Sequence, residues 1–370
     1  MPADMKSRRL ALKLVLALCS CVAGAGVAEV GLRWSGAAKL PLGVPGLAGR
    51  AAFVDRPEGF RFAYNSAGYR SAEVPARRPP GEIRIALLGD SHTFGLGVDD
   101  DERFGEQIGR GAAAALHHPV AMINMAQPGD AYDRFLERLR DAARWVPDLV
   151  VVVTYTGNDF GETAAAQLYG GRKAAGPQGG WTLPALRRLQ LWHLMRLRPR
   201  VAADPFIGSP ECGGAFSTPD VGPFTQSVFQ ACTLRSPAAR RAAIELAGRQ
   251  VHALLPGAPI LMVCLPSKLL VGESDARQRV QPIAARFAMD WTQVLAIERS
   301  LHQAAVAIGE RECEATTDLL PALTKAAGEP LYFPTDWHLN VRGHRVVAEA
   351  LLPVVVRMLR DLHSFRPGRT

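Results

Sequence analysis

The sequence lacks several patterns that would decide its chemistry at once. Its six cysteines include no Cys-x-x-Cys pair, which leaves no basis for a zinc ribbon or a thioredoxin-like redox site. No Gly-x-x-x-x-Gly-Lys-Ser/Thr loop occurs, so a P-loop nucleotide site is excluded. Blocks of lysine and arginine are also missing. The formal charge of +8 comes from scattered arginines, which fits solubility and orientation at a membrane better than a nucleic-acid arm. No internal repeat is visible.

What the chain has is apolar mass. With 370 residues and 48% hydrophobic content, it can bury one large α/β domain with an insertion, or two modest domains. Lys6, Arg8 and Arg9 precede an apolar stretch from Leu10 to Leu32, broken only by Lys13 and Glu29. That length suits a membrane-spanning signal anchor whose positive flank stays inside. A cleavable signal peptide competes, since small residues surround Ala23-Gly24-Ala25. Leu18-Cys19-Ser20-Cys21 is a poor match to a lipidation site. In either case the bulk of the chain is expected to be extracytoplasmic, periplasmic or at the cell surface. Cys264 and Cys313 fall in apolar runs and read as buried thiols, whereas Cys212 and Cys232 lie in loop-rich sequence that a disulfide could staple.

Residues 41–80, rich in Pro, Gly and Arg, read as a linker and lead-in segment. A domain from 81 to 362 follows, with a short tail at 363–370. Strand-like runs cover Ile83–Leu88, Val120–Ala126, Leu149–Tyr155, Ile260–Leu265 and Glu312–Asp318. Helical spacing covers Glu102–Leu116, Tyr132–Trp145, Ala239–Leu255 and Ala285–Ile308, and a closing helix at about Arg342–Leu362 contains Pro353 as a bend. Near-continuous apolar strands separated by helices imply a parallel sheet of about five strands covered on both faces. An insertion at 161–237 breaks this rhythm. Its "LPALRRLQLWHLMRLRPR" reads as a basic amphipathic helix that packs the insertion onto the domain, with a lid or membrane-surface role as the alternative.

In such a sheet, ligands bind beyond the carboxyl ends of the strands. The first strand ends on Gly89-Asp90-Ser91, the second leads to Gly129, and the third ends on Gly157-Asn158-Asp159. Before the last helix, "PTDWHLNVRGH" carries Asp336, His338 and Asn340 in a loop. The fold would bring these segments to one rim. A serine hydroxyl needs a base, which His338 supplies, and Asp336 can hold the imidazole in the required tautomer. The Ser91 and Gly129 amides and the Asn158 side chain can donate to a tetrahedral oxyanion. Four blocks in order, each at a strand end, make a specific signal where Gly-Asp-Ser alone would be weak.

On these blocks the sequence resembles the SGNH, or GDSL-type, hydrolase superfamily over about residues 60–362, excluding most of the insertion. The resemblance implies a flavodoxin-like α/β/α sandwich and a serine hydrolase, here joined to an N-terminal membrane helix. Two departures stand out. Gly157 directly precedes Asn158 where the family has glycine, any residue, then asparagine, and a single residue separates Asp336 from His338 where many members have two. The shorter Asp-His block, with "YNSAGYR" and "LPSKLLV", is similar to anchored bacterial members and to membrane-linked polysaccharide O-acetyltransferases.

Other residues carry smaller expectations. Asp90 shapes the turn, and His92 points away from the nucleophile into loop packing. Asp99–Glu102 opens a helix and lacks the alternation of a calcium loop. Gly95-x-Gly97 fails as a dinucleotide site because Asp100 takes the third glycine position, and Tyr64-Asn65-Ser66-Ala67-Gly68 fails as a nucleophile elbow. His344, inside the last helix, is expected to pack, and Lys268 to be a solvated surface lysine, with contact to an acidic substrate as the alternative. No metal, cofactor or nucleic-acid partner is expected. The leading function is an esterase acting on an acylated polysaccharide or lipid. An O-acyltransferase and a non-catalytic polysaccharide-binding module are the alternatives.

Overall fold

The computed structural model describes residues 48–169, 225–254, 258–272 and 275–364, two short strands at 206–207 and 215–216, and residues 13, 15–17, 19–28 and 30–31. The strands are β1 (Ala48–Phe53), β2 (Arg56–Ala63), β3 (Ile83–Leu88), β4 (Val120–Asn124), β5 (Leu149–Tyr155), β6 (Phe206–Ile207), β7 (Ala215–Phe216), β8 (Ile260–Leu265) and β9 (Ala315–Asp318). The α-helices are α1 (Ser91–Phe94), α2 (Phe104–Leu116), α3 (Tyr132–Ala142), α4 (Asp159–Gln167), α5 (Thr225–Thr233), α6 (Pro237–His252), α7 (Lys268–Val271), α8 (Ala276–Arg286), α9 (Trp291–Glu312), α10 (Leu320–Ala326) and α11 (Val341–Ser364).

Five strands form one parallel sheet in the order β4-β3-β5-β8-β9. The three central strands are buried along their whole length, as parallel strands must be when helices cover both faces. Alternate residues then serve opposite cores. Ala86, Leu88, Val150, Val152, Met262 and Cys264 face one layer, while Ile85, Leu87, Val151, Val153, Leu261 and Val263 face the other. Residues of α3, α5, α6, α8 and α9 complete the first layer, and those of α2, α10 and α11 the second. The chain steps from β3 outward to β4, then back across to β5. That reversal opens a crevice at the carboxyl ends of β3 and β5, where α/β sheets receive ligands.

Several boundaries differ from the sequence reading. The expected fifth strand is shorter, because α9 runs on through Glu312. The expected helix at 285–308 is two helices, broken where Ala288 takes φ +50°. The second begins at a capping box in which Asp290 and Gln293 bond each other's backbone N–H. Pro282 lies within α8 and Pro353 within α11, which continues past it. The lead-in segment is more than a linker: β1 and β2 pair as an antiparallel hairpin. Inside the expected insertion, α5 packs into the core through Val228, Ala231 and Cys232.

Of the apolar stretch Leu10–Leu32, the described residues are helical and exposed. The expected membrane helix is not found, since no helix among the described residues is long and apolar enough to cross a membrane. Cys232 is disulfide-bonded. Cys212 and the amphipathic stretch at 183–200 lie outside the described residues. Cys264 is buried and Cys313 half-buried, both as free thiols, and burial raises the pKa of each.

Candidate active site

The nucleophile candidate is placed by a cap. After β3, the Asp90 carboxylate accepts the His92 N–H at 2.9 Å and starts the short helix α1, so that Ser91 heads it. Gly95 ends that helix in the left-handed conformation, φ +83°. Arg70 then locks the loop behind it. Its buried guanidinium donates to the carbonyls of Phe94, Gly95 and Val98 and pairs with Asp100 at 2.6 Å. The rings of Phe60 and Phe94 lie 5.1 Å from it. The "YNSAGYR" segment is therefore scaffolding for the nucleophile turn.

The structure brings three of the expected residues into line. His338 Nε2 lies 2.7 Å from Ser91 Oγ, and His338 Nδ1 bonds Asp336 Oδ1. Asp336 Oδ1 also accepts the His338 backbone N–H at 3.3 Å. Their loop is framed by the Tyr332–Leu339 bridge. Beyond it, Asn340 caps α11 by accepting the Gly343 N–H at 2.9 Å.

The oxyanion candidates come from the neighbouring strand ends. Gly129 has φ +83° and open space on its Cβ side. Among the described residues, neither the Ser91 nor the Gly129 backbone N–H has an acceptor. Asn158 is 4% exposed. Its Nδ2 donates to Glu162 Oε1 at 2.7 Å and to Gln226 Oε1 at 3.4 Å. Neither partner was legible beforehand, since Gln226 arrives from α5.

Asp90 is buried, and burial pushes its carboxyl up to about 6 against the pull of His338. Oδ2 of that carboxyl has no partner among the described residues. His92 corrects an expectation. Its ring does not point away: it lies 3.9 Å from Tyr155 and 4.7 Å from the His338 ring. Burial, with His338 and His344 nearby, pushes its pKa well below the usual imidazole range, so a neutral ring packs against His338. Lys268 corrects another. It is 1% exposed, because Asp275 at 3.0 Å neutralises it and the Phe333 carbonyl accepts from it at 3.4 Å. The Trp337 ring lies 5.9 Å from its Nζ.

His344 packs as expected. Its Nδ1 accepts the Phe104 N–H at 3.2 Å, and burial pushes its pKa down to about 3. Asp99 accepts from the Arg61 backbone and side chain. Among the described residues, no cluster of three or more His, Cys, Asp or Glu could hold a metal ion.

A serine, a histidine and an aspartate aligned at the carboxyl edge of a doubly covered parallel sheet define the class: an α/β protein with the groups that acyl-transfer chemistry needs. The model of the GDSL-like lipase/acylhydrolase family matches residues 87–346, a span that holds all five candidate residues. The chain belongs to that family, and membership supports ester hydrolysis. Solved structures that resemble it include a lipolytic protein of the G-D-S-L family from Veillonella parvula, at 14% identity and TM-score 0.36, covering 74% of this chain and 99% of that one. A lipase/acylhydrolase from Enterococcus faecalis has 14% identity and TM-score 0.37, with 74% and 96% covered. A carbohydrate acetylesterase from Sinorhizobium meliloti has 11% identity and TM-score 0.36, with 75% and 99% covered. No curated protein sequence matches.

Proposed function

We propose that the chain is a serine esterase that removes acyl groups, acetyl among them, from a polysaccharide or lipid outside the cytoplasm. The observation that carries this reading is the continuous line from Asp336 through His338 to Ser91 Oγ, 2.7 Å from the imidazole.

In this mechanism Ser91 Oγ attacks the ester carbonyl as His338 Nε2 takes its proton. Asp336 fixes the tautomer that leaves Nε2 free to accept and stabilises the imidazolium that forms. Charge on the tetrahedral oxygen falls to the Ser91 and Gly129 N–H groups. Asn158 joins them with its second amide proton, held by Gln226 only at 3.4 Å, while Glu162 keeps the first. His338 then protonates the leaving alcohol. Water, deprotonated by the same imidazole, releases the acid and restores Ser91.

An acyltransferase would use the same groups and hand the acyl unit to a sugar hydroxyl in place of water. Turnover of an aryl acetate, measured with and without an oligosaccharide acceptor, separates the readings. Acid release indifferent to acceptor is expected. Acceptor-dependent transfer would replace esterase by acyltransferase, and no turnover with retained oligosaccharide binding would make the chain a binding module.

Membrane anchoring by the N-terminal apolar stretch belongs to the same proposal. The positive flank at Lys6, Arg8 and Arg9 supports it. The disulfide at Cys232, a bond of oxidising compartments, supports a place outside the cytoplasm.

A further inference from the structure

We infer that Asp55, in the turn of the N-terminal hairpin, is a positioning residue for the acid–base loop; the inference rests on the reading of Ser91, His338 and Asp336 as a triad. The Asp55 carboxylate uses one oxygen, Oδ2, to accept two consecutive backbone N–H groups, from Thr335 at 2.9 Å and Asp336 at 2.7 Å. Bonds from N–H to an ionised carboxylate are among the stronger kinds. These two seize the backbone at the residue whose side chain orients His338.

The loop needs such a hold. Between the Tyr332–Leu339 bridge partners the segment lies outside any helix or strand; the Phe333 N–H donates to the His338 carbonyl at 2.8 Å, but no ladder reaches the N–H groups of Thr335 and Asp336. Lys268 holds the far side by donating to the Phe333 carbonyl. An anion thus takes the N–H groups at one point and a cation takes a carbonyl at another.

The same hairpin also grips the nucleophile loop. Arg56 Nη1 donates to the Gly97 carbonyl at 3.4 Å and to Glu102 at 2.7 Å, and Arg61 pairs with Asp99 at 2.8 Å. Phe53 packs against Phe333 with tilted rings, their centroids 4.8 Å apart. A Cβ on Gly97 would come within 2.7 Å of Phe53 and 2.8 Å of Phe333, so hairpin, nucleophile loop and acid–base loop meet there in close contact. The hairpin bridges the two halves of the triad, and Asp55 is its contact with the half that must hold Asp336 still. A misplacement of order 1 Å in such a group costs roughly 10²-fold in rate.

The test uses the full-length protein with Asp55→Ala and Asp55→Asn, comparing backbone hydrogen exchange at Thr335 and Asp336 with steady-state hydrolysis of an aryl acetate. Alanine removes both acceptor oxygens, while asparagine keeps one uncharged acceptor. The expected result is faster exchange at those amides in Asp55→Ala and a kcat lower by roughly 10–10²-fold at nearly unchanged KM. Asp55→Asn should recover most of both. Unchanged exchange in Asp55→Ala would overturn the clamp. Faster exchange with unchanged kcat per folded molecule would overturn the positioning role, as would equal losses in the two variants. A wild-type protein whose Ser91 forms no fluorophosphonate adduct would instead refute the triad reading, and exchange alone would then decide the clamp.

Discussion

His338 and His344 lie close in sequence, yet their surroundings separate them. His338 is partly open and touches Ser91, whereas His344 is 1% exposed and spends Nδ1 on the Phe104 N–H. Replacing His338 with alanine is expected to remove nearly all turnover, leaving what binding and the oxyanion donors supply. His344→Ala should keep kcat per folded molecule and lose about 2–3 kcal/mol of stability, from the vacated volume and the orphaned N–H. Turnover of both variants at equal folded fraction checks this. The pH dependence follows from the same burial. Folded His344 stays neutral down to about pH 3, while in the unfolded chain it takes a proton near the ordinary imidazole value of 6.5. Its contribution is therefore full above pH 6.5 and lost as the pH falls towards 3. The gap in urea midpoint between wild type and His344→Ala should narrow from pH 7 to pH 4; a constant gap would show that its titration is not linked to folding. The meeting of Ser91, His338 and Asp336 was legible because each follows a strand or precedes a helix that pattern alone locates. Asp55 and Lys268 were not. Asp55 sits in a turn where aspartate is ordinary, and what it bonds lies across the chain at Thr335 and Asp336. The burial of Lys268 depends on Asp275 and Trp337, which no local pattern announces.

Among the elements, the strands of the sheet were legible in kind because parallel strands buried on both faces read as unbroken apolar runs. The hairpin β1–β2 was not, since its half-exposed strands carry Arg, Pro and Gly and resemble a linker. Helix α5 was hidden for a related reason: it lies in Gly- and Pro-rich sequence and is held by core contacts from Val228 and Ala231. The start of α11 shows how tightly an element can be bound to the site. A Cβ on Gly343 would lie 2.1 Å from the Leu331 carbonyl oxygen and 2.9 Å from Leu339, the two ends of the acid–base loop. Backbone leaves little room to yield. Gly343→Ala is expected to cost about 1–3 kcal/mol and to lower kcat by pushing α11 away from that loop. Urea unfolding together with kcat per folded molecule checks it, and a variant equal to wild type in both would show that the loop adapts freely.

At the scale of the whole molecule, the sheet order decides what function is available. With the sheet started at β3 and the chain reversing direction around it, segments distant in sequence converge on one crevice. The proposed export is the other whole-chain question, and it has its own test. The full chain is expected in the membrane fraction, with its catalytic domain cleaved by protease added from outside. Recovery of the whole chain as soluble cytosolic protein would contradict it. The proposed chemistry turns on one atom, Ser91 Oγ, which mass spectrometry of the intact protein after reaction with a fluorophosphonate probes. One adduct per chain is expected, mapped to Ser91, absent in Ser91→Ala and strongly slowed in His338→Ala. An adduct that persists in Ser91→Ala, or maps to another residue, would contradict it.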